Sequence, residues 1–312
     1  MNKFRQLPLI FLLALLSLSG LALPSVVGQA AVAAPSQKAG ASEILELELD
    51  SKLMGREMPY RVVLPTGYKE RSAVSSRYPV IYLLHGLTGH YKDWTDKTKI
   101  AEYNSRFDFI IVTPEGDNGW YTDSASKSTE KYESYIVKEL IPQVDAKFRT
   151  LADREHRIIA GLSMGGYGGL KFGLKYPEMF SLAGSFSGAL TAPDLDAEIP
   201  ADTPATTFFG IIRSSVIAAF GPKDAEGRKS NDIYKLVRGL RPEKLKDLPF
   251  LYESCGTEDA LIASNRAFMS LLAERKIPHE YREHPGRHDW VFWDDQIREF
   301  MMVADRHVKN KI

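Results

Sequence analysis

A serine flanked by glycines is the strongest candidate for chemistry in this sequence. Ser163 lies in the segment Gly-Leu-Ser-Met-Gly (161–165), directly after an apolar run and before a helix-like segment, 170–176. A sharp turn between a strand and a helix strains the serine backbone and exposes the hydroxyl, which requires tiny residues two positions away on each side. Gly161 and Gly165 meet that requirement. The context therefore favours a nucleophile over an incidental serine in a glycine-rich turn.

A serine hydroxyl is a weak nucleophile at neutral pH, so it needs a base within hydrogen-bond reach and a third group that orients the base. The histidines that follow the serine in the chain are His279, His284, His288 and His307. The first precedes a predicted strand at the wrong end of the sheet, and the last lies deep in a terminal helix, where we expect it to be exposed. His288 is favoured over His284, because Gly286 permits a turn that folds His288 back over the sheet.

An acidic side chain should follow the serine and precede the histidine in the chain. Gly256 ends a predicted strand, and Glu258 and Asp259 come shortly after it. We favour Asp259, because the shorter side chain, further along the loop, can accept a hydrogen bond from the histidine ring without projecting into solvent. Glu258 is then a solvated loop charge.

Two backbone N–H groups are expected to bind the oxyanion of acyl transfer, since this developing charge needs preorganised donors. One belongs to Met164, the residue after the candidate nucleophile. The other belongs to Leu87, in the turn His-Gly-Leu-Thr-Gly (85–89). His85 is expected to hold this turn by a hydrogen bond and to take no part in proton transfer.

The elements that must position these residues are strands that alternate with helices. Segments that predict strands are 78–84, 109–113, 156–160, 182–186, 250–256 and 280–283, and the first two are predicted to be buried. The segments 44–49 and 58–64 predict an antiparallel pair at one edge. This pattern indicates an α/β fold whose mostly parallel central sheet is covered by helices on both faces. The carboxyl ends of parallel strands share one rim, where the candidate loops would meet.

Residues 188–247 interrupt this alternation. Five prolines punctuate the region, which also contains an apolar patch at 208–220. A stretch this long between two core strands is usually functional, so we interpret it as a partly helical lid insertion over the site. The alternative is a surface excursion without contact to substrate. On the same rim, Trp120 and Tyr121 are expected to line an acyl or sugar subsite, with packing in the core as an equal alternative.

Composition excludes several classes of partner. The 312 residues include 40 basic and 40 acidic side chains, so no net field attracts nucleic acid or anionic lipid. The single cysteine, Cys255, excludes an intrachain disulfide and a cysteine-based metal cluster. The length suits one large catalytic domain, predicted at 44–312. A homo-oligomer is compatible with this composition.

The N-terminus has the features of a secretory signal. Lys3 and Arg5 precede an apolar run, 9–23, and small residues suited to cleavage follow it. Residues 1–34 are therefore predicted to be a signal peptide and 35–43 a flexible tether. The mature protein would then be secreted or periplasmic, without a membrane span. An uncleaved membrane anchor is the alternative, although the apolar run is short for a full span.

Taken in order, the motifs resemble a known family. They are His-Gly-Leu-Thr-Gly (85–89) with Trp94, Trp-Tyr (120–121), Gly-Leu-Ser-Met-Gly-Gly-Tyr-Gly (161–168), Phe-Ser-Gly-Ala (186–189), Cys-Gly-Thr-Glu-Asp (255–259) and Pro-Gly-Arg-His-Asp-Trp (285–290). Over about residues 44–306, the chain is similar to the esterase D-like branch of the α/β-hydrolases. This branch includes tributyrin-type, feruloyl and acetylxylan esterases, S-formylglutathione hydrolases and mycolyltransferases. The chain resembles the tributyrin-type and feruloyl esterases more than the S-formylglutathione hydrolases.

The resemblance implies an α/β-hydrolase fold and a serine esterase that needs no cofactor and no metal. The family's nucleophile, acid and base fall on Ser163, Asp259 and His288, and its oxyanion donors fall on Leu87 and Met164. The expected function is an exported serine carboxylesterase for short-chain esters or carbohydrate-linked acetyl or feruloyl esters. The alternatives are an acyltransferase that moves the acyl group to a sugar or lipid alcohol and, less favoured, a binding protein without catalysis.

Overall fold

Eight strands form the sheet that carries the candidate residues, in a computed structural model that describes residues 42–310. The strands are β1 (Ile44–Ser51), β2 (Arg56–Val63), β3 (Val80–Leu84), β4 (Ile110–Pro114), β5 (Arg157–Leu162), β6 (Leu182–Phe186), β7 (Phe250–Gly256) and β8 (His279–His284). The predicted signal peptide, 1–34, and all but the last two residues of the predicted tether, 35–43, lie outside the described residues.

The sheet has the order β1-β2-β4-β3-β5-β6-β7-β8. Strand β2 pairs antiparallel with β1 and β4, and every other pair is parallel. The predicted mostly parallel sheet, with an antiparallel pair at one edge, is therefore confirmed. The strands β3 to β6 are buried along their whole length, which explains why their sequences are nearly continuous apolar runs.

Helices cover both faces of the sheet. They are α1 (Asp93–Lys97), α2 (Ile100–Asn104), α3 (Tyr132–Tyr135), α4 (Ile141–Lys147), α5 (Met164–Lys175), α6 (Phe208–Phe220), α7 (Glu226–Ser230), α8 (Ile233–Gly239), α9 (Ile262–Glu274) and α10 (Trp290–Asn310). A π-helical turn, Ile136–Leu140, joins α3 to α4. Short 3₁₀ turns lie at Arg71–Ala73, Arg154–His156, Ala192–Asp194 and Pro242–Asp247.

Alternate residues of each strand point to opposite faces, so the sheet divides the core into two clusters. In β3, for example, Val80 and Tyr82 pack with residues of α3, α4, α5, α6, α8 and α9. Ile81 and Leu83 pack on the other face with residues of α1, α2 and α10. This three-layer arrangement agrees with the α/β-hydrolase fold that the motifs predicted.

The long region between β6 and β7 contains α6, α7 and α8. The two strands it connects are hydrogen-bonded neighbours, with Leu182 opposite Phe250 and Phe186 opposite Ser254. Helix α6 begins where the Thr207 hydroxyl accepts a hydrogen bond from the Gly210 N–H at 3.1 Å. The region therefore leaves and rejoins the sheet without separating the two strands.

A buried ion pair lies between α3 and α5. Lys171 is fully buried, and its ammonium group lies 2.7 Å from a Glu133 carboxylate oxygen. The same ammonium donates to the Tyr121 carbonyl at 2.6 Å and to the Thr122 hydroxyl at 2.5 Å. Burial opposes the ionisation of Glu133, but the charges of Lys171 and Lys175 keep its pKa below the usual range. The pair is thus ionised at neutral pH and links α5 to the loop that follows β4.

The expected exposure of His307 is wrong. This residue of α10 has a buried side chain, and the centroids of the His307 and Phe250 rings are 6.3 Å apart. Burial lowers the pKa of His307. The reason is that this histidine lies on the face of α10 that packs against the sheet. Within residues 42–310, none of the helices is long and apolar enough to cross a membrane.

Candidate active site

Ser163 stands on a strained turn between β5 and α5. Its backbone angles are φ 53° and ψ −115°, in a region that L-residues other than glycine rarely adopt. The turn is held because the Ser163 N–H donates to the Phe186 carbonyl at 2.9 Å, and the Ser163 carbonyl accepts from Tyr167 at 3.0 Å. A side chain at Gly165 would meet the carbonyl of His85 at 2.6 Å. The strained backbone at Ser163 and the close approach of the His85 carbonyl to Gly165 explain why residue 165 must be glycine.

The structure brings the hydroxyl, the imidazole and the carboxylate together. His288 Nε2 lies 2.9 Å from Ser163 Oγ, and His288 Nδ1 lies 2.8 Å from Asp259 Oδ2. Asp259 follows β7 and His288 follows β8, so both come from the rim where β5 ends. The three side chains form one continuous line of hydrogen bonds, although they are far apart in the chain.

The environment keeps Asp259 ionised. Burial opposes ionisation, but the hydrogen bond and the charge of His288, with the Leu261 N–H at 2.8 Å, hold the pKa of Asp259 below its usual value. The Trp293 ring packs edge-on against the imidazole, with ring centroids 4.9 Å apart. The carboxylate and this ring fix the orientation of His288, which is what a base needs beside a hydroxyl.

The less favoured candidates lie elsewhere. His284 is the last residue of β8, and among the described residues its Nε2 atom has no hydrogen-bond partner. Glu258 is exposed and pairs with Arg287 at 3.1 Å. His279 is the first residue of β8, at the opposite end of the strand from the site. Of the histidines and acidic residues considered, His288 and Asp259 are those that form the line of hydrogen bonds with Ser163.

The two predicted oxyanion donors flank the serine. Met164 is the first residue of α5, and Leu87 lies in the turn after β3 that lines the same cleft as Ser163. In the part of the chain that the structure describes, neither backbone N–H has an acceptor. A helix N-terminus also adds a partial positive charge near Ser163. The arrangement can thus receive a negative oxygen.

Trp120 and Tyr121 do not line the cleft, which corrects the prediction that they contact substrate. Both side chains are buried; Trp120 donates to the Ser215 hydroxyl at 3.0 Å and Tyr121 donates to the His85 carbonyl at 3.0 Å. The physical reason is local backbone geometry. Both residues have positive φ, 53° and 50°, and these consecutive left-handed residues turn the chain inward from the rim. Packing is therefore their role here.

A cleft of about 320 Å³ opens in front of the serine. It is lined by Gly86, Leu87, Thr88, Gly89, Asp93, Lys97, Leu162, Ser163, Phe208, His288, Asp289, Trp290 and Trp293. Phe208, the first residue of α6, lines this cleft and is 58% exposed. Sequence reasoning named only the apolar patch that contains it. Within the described part of the chain, no group of side chains is suited to hold a metal ion.

Several known proteins are similar to this chain in sequence or in fold. The Esterase family model matches residues 51–302. An acetyl esterase of Caldicellulosiruptor saccharolyticus is 32% identical over 259 residues, which cover 81% of this chain and 95% of the relative. The Staphylococcus aureus fluorophosphonate-binding serine hydrolase FphF has a TM-score of 0.73 at 25% identity, covering 85% of this chain and 99% of its own. A ferulic acid esterase has a TM-score of 0.70 at 27% identity, covering 85% and 98%.

Proposed function

Since this chain belongs to the Esterase family and is a serine hydrolase that cleaves carboxylic esters, we propose that Ser163, His288 and Asp259 are its catalytic triad. The observation that carries this proposal is the line of hydrogen bonds from the hydroxyl to the carboxylate, at 2.9 Å and 2.8 Å. A hydroxyl, a base and a group that orients the base are the minimum set for nucleophilic catalysis by serine.

In the first half-reaction, Ser163 Oγ attacks the ester carbonyl carbon while His288 Nε2 takes the hydroxyl proton. The carbonyl oxygen becomes an oxyanion, which accepts hydrogen bonds from the N–H groups of Leu87 and Met164. Asp259 stabilises the imidazolium that forms. The C–O bond of the ester then breaks, His288 returns the proton to the leaving alcohol, and an acyl-enzyme is left on Ser163.

The second half-reaction reverses these roles with water as the nucleophile. His288 removes a proton from a water molecule, whose oxygen attacks the acyl carbon of the Ser163 ester. The same two N–H groups hold the second oxyanion, and its collapse releases the acid while the proton passes to Ser163 Oγ. An alcohol in place of water would give acyl transfer, so hydrolysis and transfer differ only in the acceptor that enters the cleft.

The cleft supports small esters as substrates. Its volume of about 320 Å³ is near the lower limit of ligand pockets. Apolar and aromatic side chains line it together with the charged side chains of Asp93, Lys97 and Asp289. This mixed lining suits an ester of an apolar acyl group with a polar alcohol such as a sugar. The acetyl and ferulic acid esterases among the similar proteins point to the same classes, acetyl and feruloyl esters.

Residues 188–247 form the lid in this proposal, and Phe208, which lines the cleft, is the contact that supports this role.

The N-terminal sequence supports export to the periplasm or beyond, with 1–34 as the signal peptide. N-terminal sequencing of the mature protein from the exported fraction should begin near residue 35. Recovery of the full-length chain from the membrane fraction would contradict export with cleavage.

The decisive experiment is Ser163→Ala, measured with p-nitrophenyl esters of increasing chain length, methyl ferulate and acetylated xylan. We expect kcat to fall on the order of 10⁶-fold, because the nucleophile is lost. Ser270→Ala changes an exposed serine of α9 and is the matched control. The Ser163 variant should also lose labelling by a fluorophosphonate. Turnover that persists in this variant would refute the assignment, and product on an added alcohol would favour acyl transfer.

A further inference from the structure

The turn that carries Leu87 is tied at several points to the segment that follows β4. This turn, 85–89, and the segment 115–121 come after the neighbouring parallel strands β3 and β4. The backbone of the turn contacts the segment at both ends: Tyr121 donates to the His85 carbonyl at 3.0 Å, and the Thr88 N–H donates to Asn118 Oδ1 at 2.8 Å. A side-chain pair adds a third connection.

Glu115 is the centre of that connection. It is 5% exposed, and its Oε1 atom accepts the N–H groups of Gly116 at 3.0 Å and Asp117 at 2.7 Å. Its Oε2 atom accepts the Tyr91 N–H at 3.3 Å. Burial raises the pKa of Glu115, but the His85 ring and these donors lower it to about 2, so the carboxylate stays charged.

The ring of His85 joins Glu115 to the turn. Its Nε2 atom lies 3.0 Å from Glu115 Oε1, and its Nδ1 atom lies 2.8 Å from the Gly86 carbonyl oxygen. The Gly86 carbonyl oxygen can only accept, so Nδ1 donates to it. The Gly116 N–H lies 2.9 Å from Nε2 and 3.0 Å from Glu115 Oε1, so it joins the ring and the carboxylate. His85 is 1% exposed, so solvent does not compete for these contacts.

These bonds leave the Leu87 N–H unused. The Gly86 carbonyl accepts from the His85 ring and from the Gly89 N–H at 3.0 Å, while the Thr88 N–H is taken by Asn118. Thr88 has a positive φ of 63°, a conformation that threonine rarely adopts and that the contact with Asn118 helps to hold. Among the described residues, the Leu87 N–H between these fixed groups has no acceptor, and Leu87 lines the cleft.

We infer that Glu115, through His85, and Asn118 are positioning residues that hold the Leu87 N–H where an oxyanion forms. The inference rests on the proposed function, because it takes Leu87 as an oxyanion donor. A donor stabilises a transition state strongly only if it is already oriented when the charge develops. The residues that hold it should therefore affect the rate of the chemical step and leave substrate affinity almost unchanged.

The test compares Glu115→Gln and Asn118→Ala with Glu130→Gln. Glu130 lies in the same connection between β4 and α3, where it pairs with Lys127 at 2.8 Å, so it is the matched control. Active-site titration with a fluorophosphonate gives the concentration of competent enzyme, so that loss of folded protein does not count as a loss of kcat. The substrate is p-nitrophenyl acetate, and an alkylboronic acid serves as an analogue of the tetrahedral intermediate.

We expect kcat to fall about 10²-fold in Glu115→Gln and about tenfold in Asn118→Ala, with KM within about twofold of the wild-type value. The inhibition constant of the boronic acid should rise by similar factors, which a purely structural role would not produce. Glu130→Gln should match the wild type. Asn118 is exposed, so its variant tests the inference even if Glu115→Gln does not fold.

Three outcomes would overturn the inference. They are a wild-type kcat in Asn118→Ala or in folded Glu115→Gln, a change confined to KM, and an equal loss in Glu130→Gln. The Ser163→Ala variant separates this failure from that of the proposed function. If it is inactive while the positioning variants behave as wild type, only the positioning role is wrong. If Ser163→Ala keeps full activity, the proposed function fails, and the role of Leu87 falls with it.

Discussion

The substitution Gly165→Ala tests the geometry of the nucleophile turn with the smallest possible change. A methyl group at this position would lie 2.6 Å from the His85 carbonyl oxygen and 2.7 Å from the Leu84 carbonyl carbon. Carbon atoms of unbonded groups prefer separations of about 3.5–4.0 Å, so both contacts are repulsive. The atoms met belong to the backbone at the end of β3 and cannot rotate away as a side chain would.

The size of the effect follows from what must move. Overpacking of a well-packed site costs about 1–3 kcal/mol, and we expect the upper end, about 3 kcal/mol, because two peptide groups must shift. For a domain of this size, that loss lowers Tm by about 6–12 °C. The shift also moves the turn that carries Leu87 relative to Ser163. A displacement of about 1 Å at a reacting centre costs roughly 10²-fold in rate, so kcat should fall by about that factor.

Calorimetry and steady-state kinetics with p-nitrophenyl acetate measure both effects. The control is Gly239→Ala, at the end of α8, where no atom lies within 4 Å of the added methyl group. Alanine is the better helix former, so this variant should be unchanged or more stable by up to about 1 kcal/mol. A Gly165→Ala enzyme with wild-type Tm and kcat would refute the reasoning, since the turn would then tolerate a side chain against two carbonyl groups.

Three further predictions concern the triad, the cleft and the buried ion pair. Asp259→Asn should lower kcat for p-nitrophenyl acetate about 10⁴-fold, because the amide favours the wrong tautomer of the His288 imidazole. A decrease in kcat of less than tenfold would exclude Asp259 as the residue that orients His288. Phe208→Ala should lower kcat/KM for methyl ferulate about tenfold. Phe209 is an exposed neighbour outside the cleft lining, so Phe209→Ala should change kcat/KM by no more than about twofold. Equal effects of the two substitutions would contradict a specific contact of Phe208 with the substrate. Glu133→Gln should lower the free energy of unfolding in urea at pH 7 by about 3–5 kcal/mol, because Lys171 is left buried without its carboxylate partner. A decrease below about 1 kcal/mol would refute this prediction.

The central strands could be predicted from the sequence because they are nearly continuous apolar runs with a clear end. Strands β6 and β7 have the predicted bounds, and β3 begins two residues later than predicted. The meeting of the loops at one rim then followed from parallel pairing, and the side-chain length of Asp259 and the turn at Gly286 selected Asp259 and His288 within those loops. Periodicity and topology together carried this part of the prediction.

Other features depend on information that a pattern of residue types does not contain. The inward turn of Trp120 and Tyr121 is set by two positive φ angles, and neither residue type signals such a conformation. The burial of Lys171 requires that Glu133 lies opposite it on another helix. Glu115 offered a signal that was not used: it is an acidic residue directly after a buried strand, on the rim where the candidate loops meet.

The direct pairing of β6 with β7 makes the sheet independent of the length of the region between them, whose α6 and α8 pack in the core. The two ends of this region leave and enter strands that are already joined by hydrogen bonds, so a donor segment of another length could be grafted there to make a chimera. Doubling the length of a flexible connection costs only about 0.6 kcal/mol in closure entropy. Exchange of 188–247 between related enzymes is therefore a route to new substrate ranges that leaves the serine, the imidazole and the carboxylate in register.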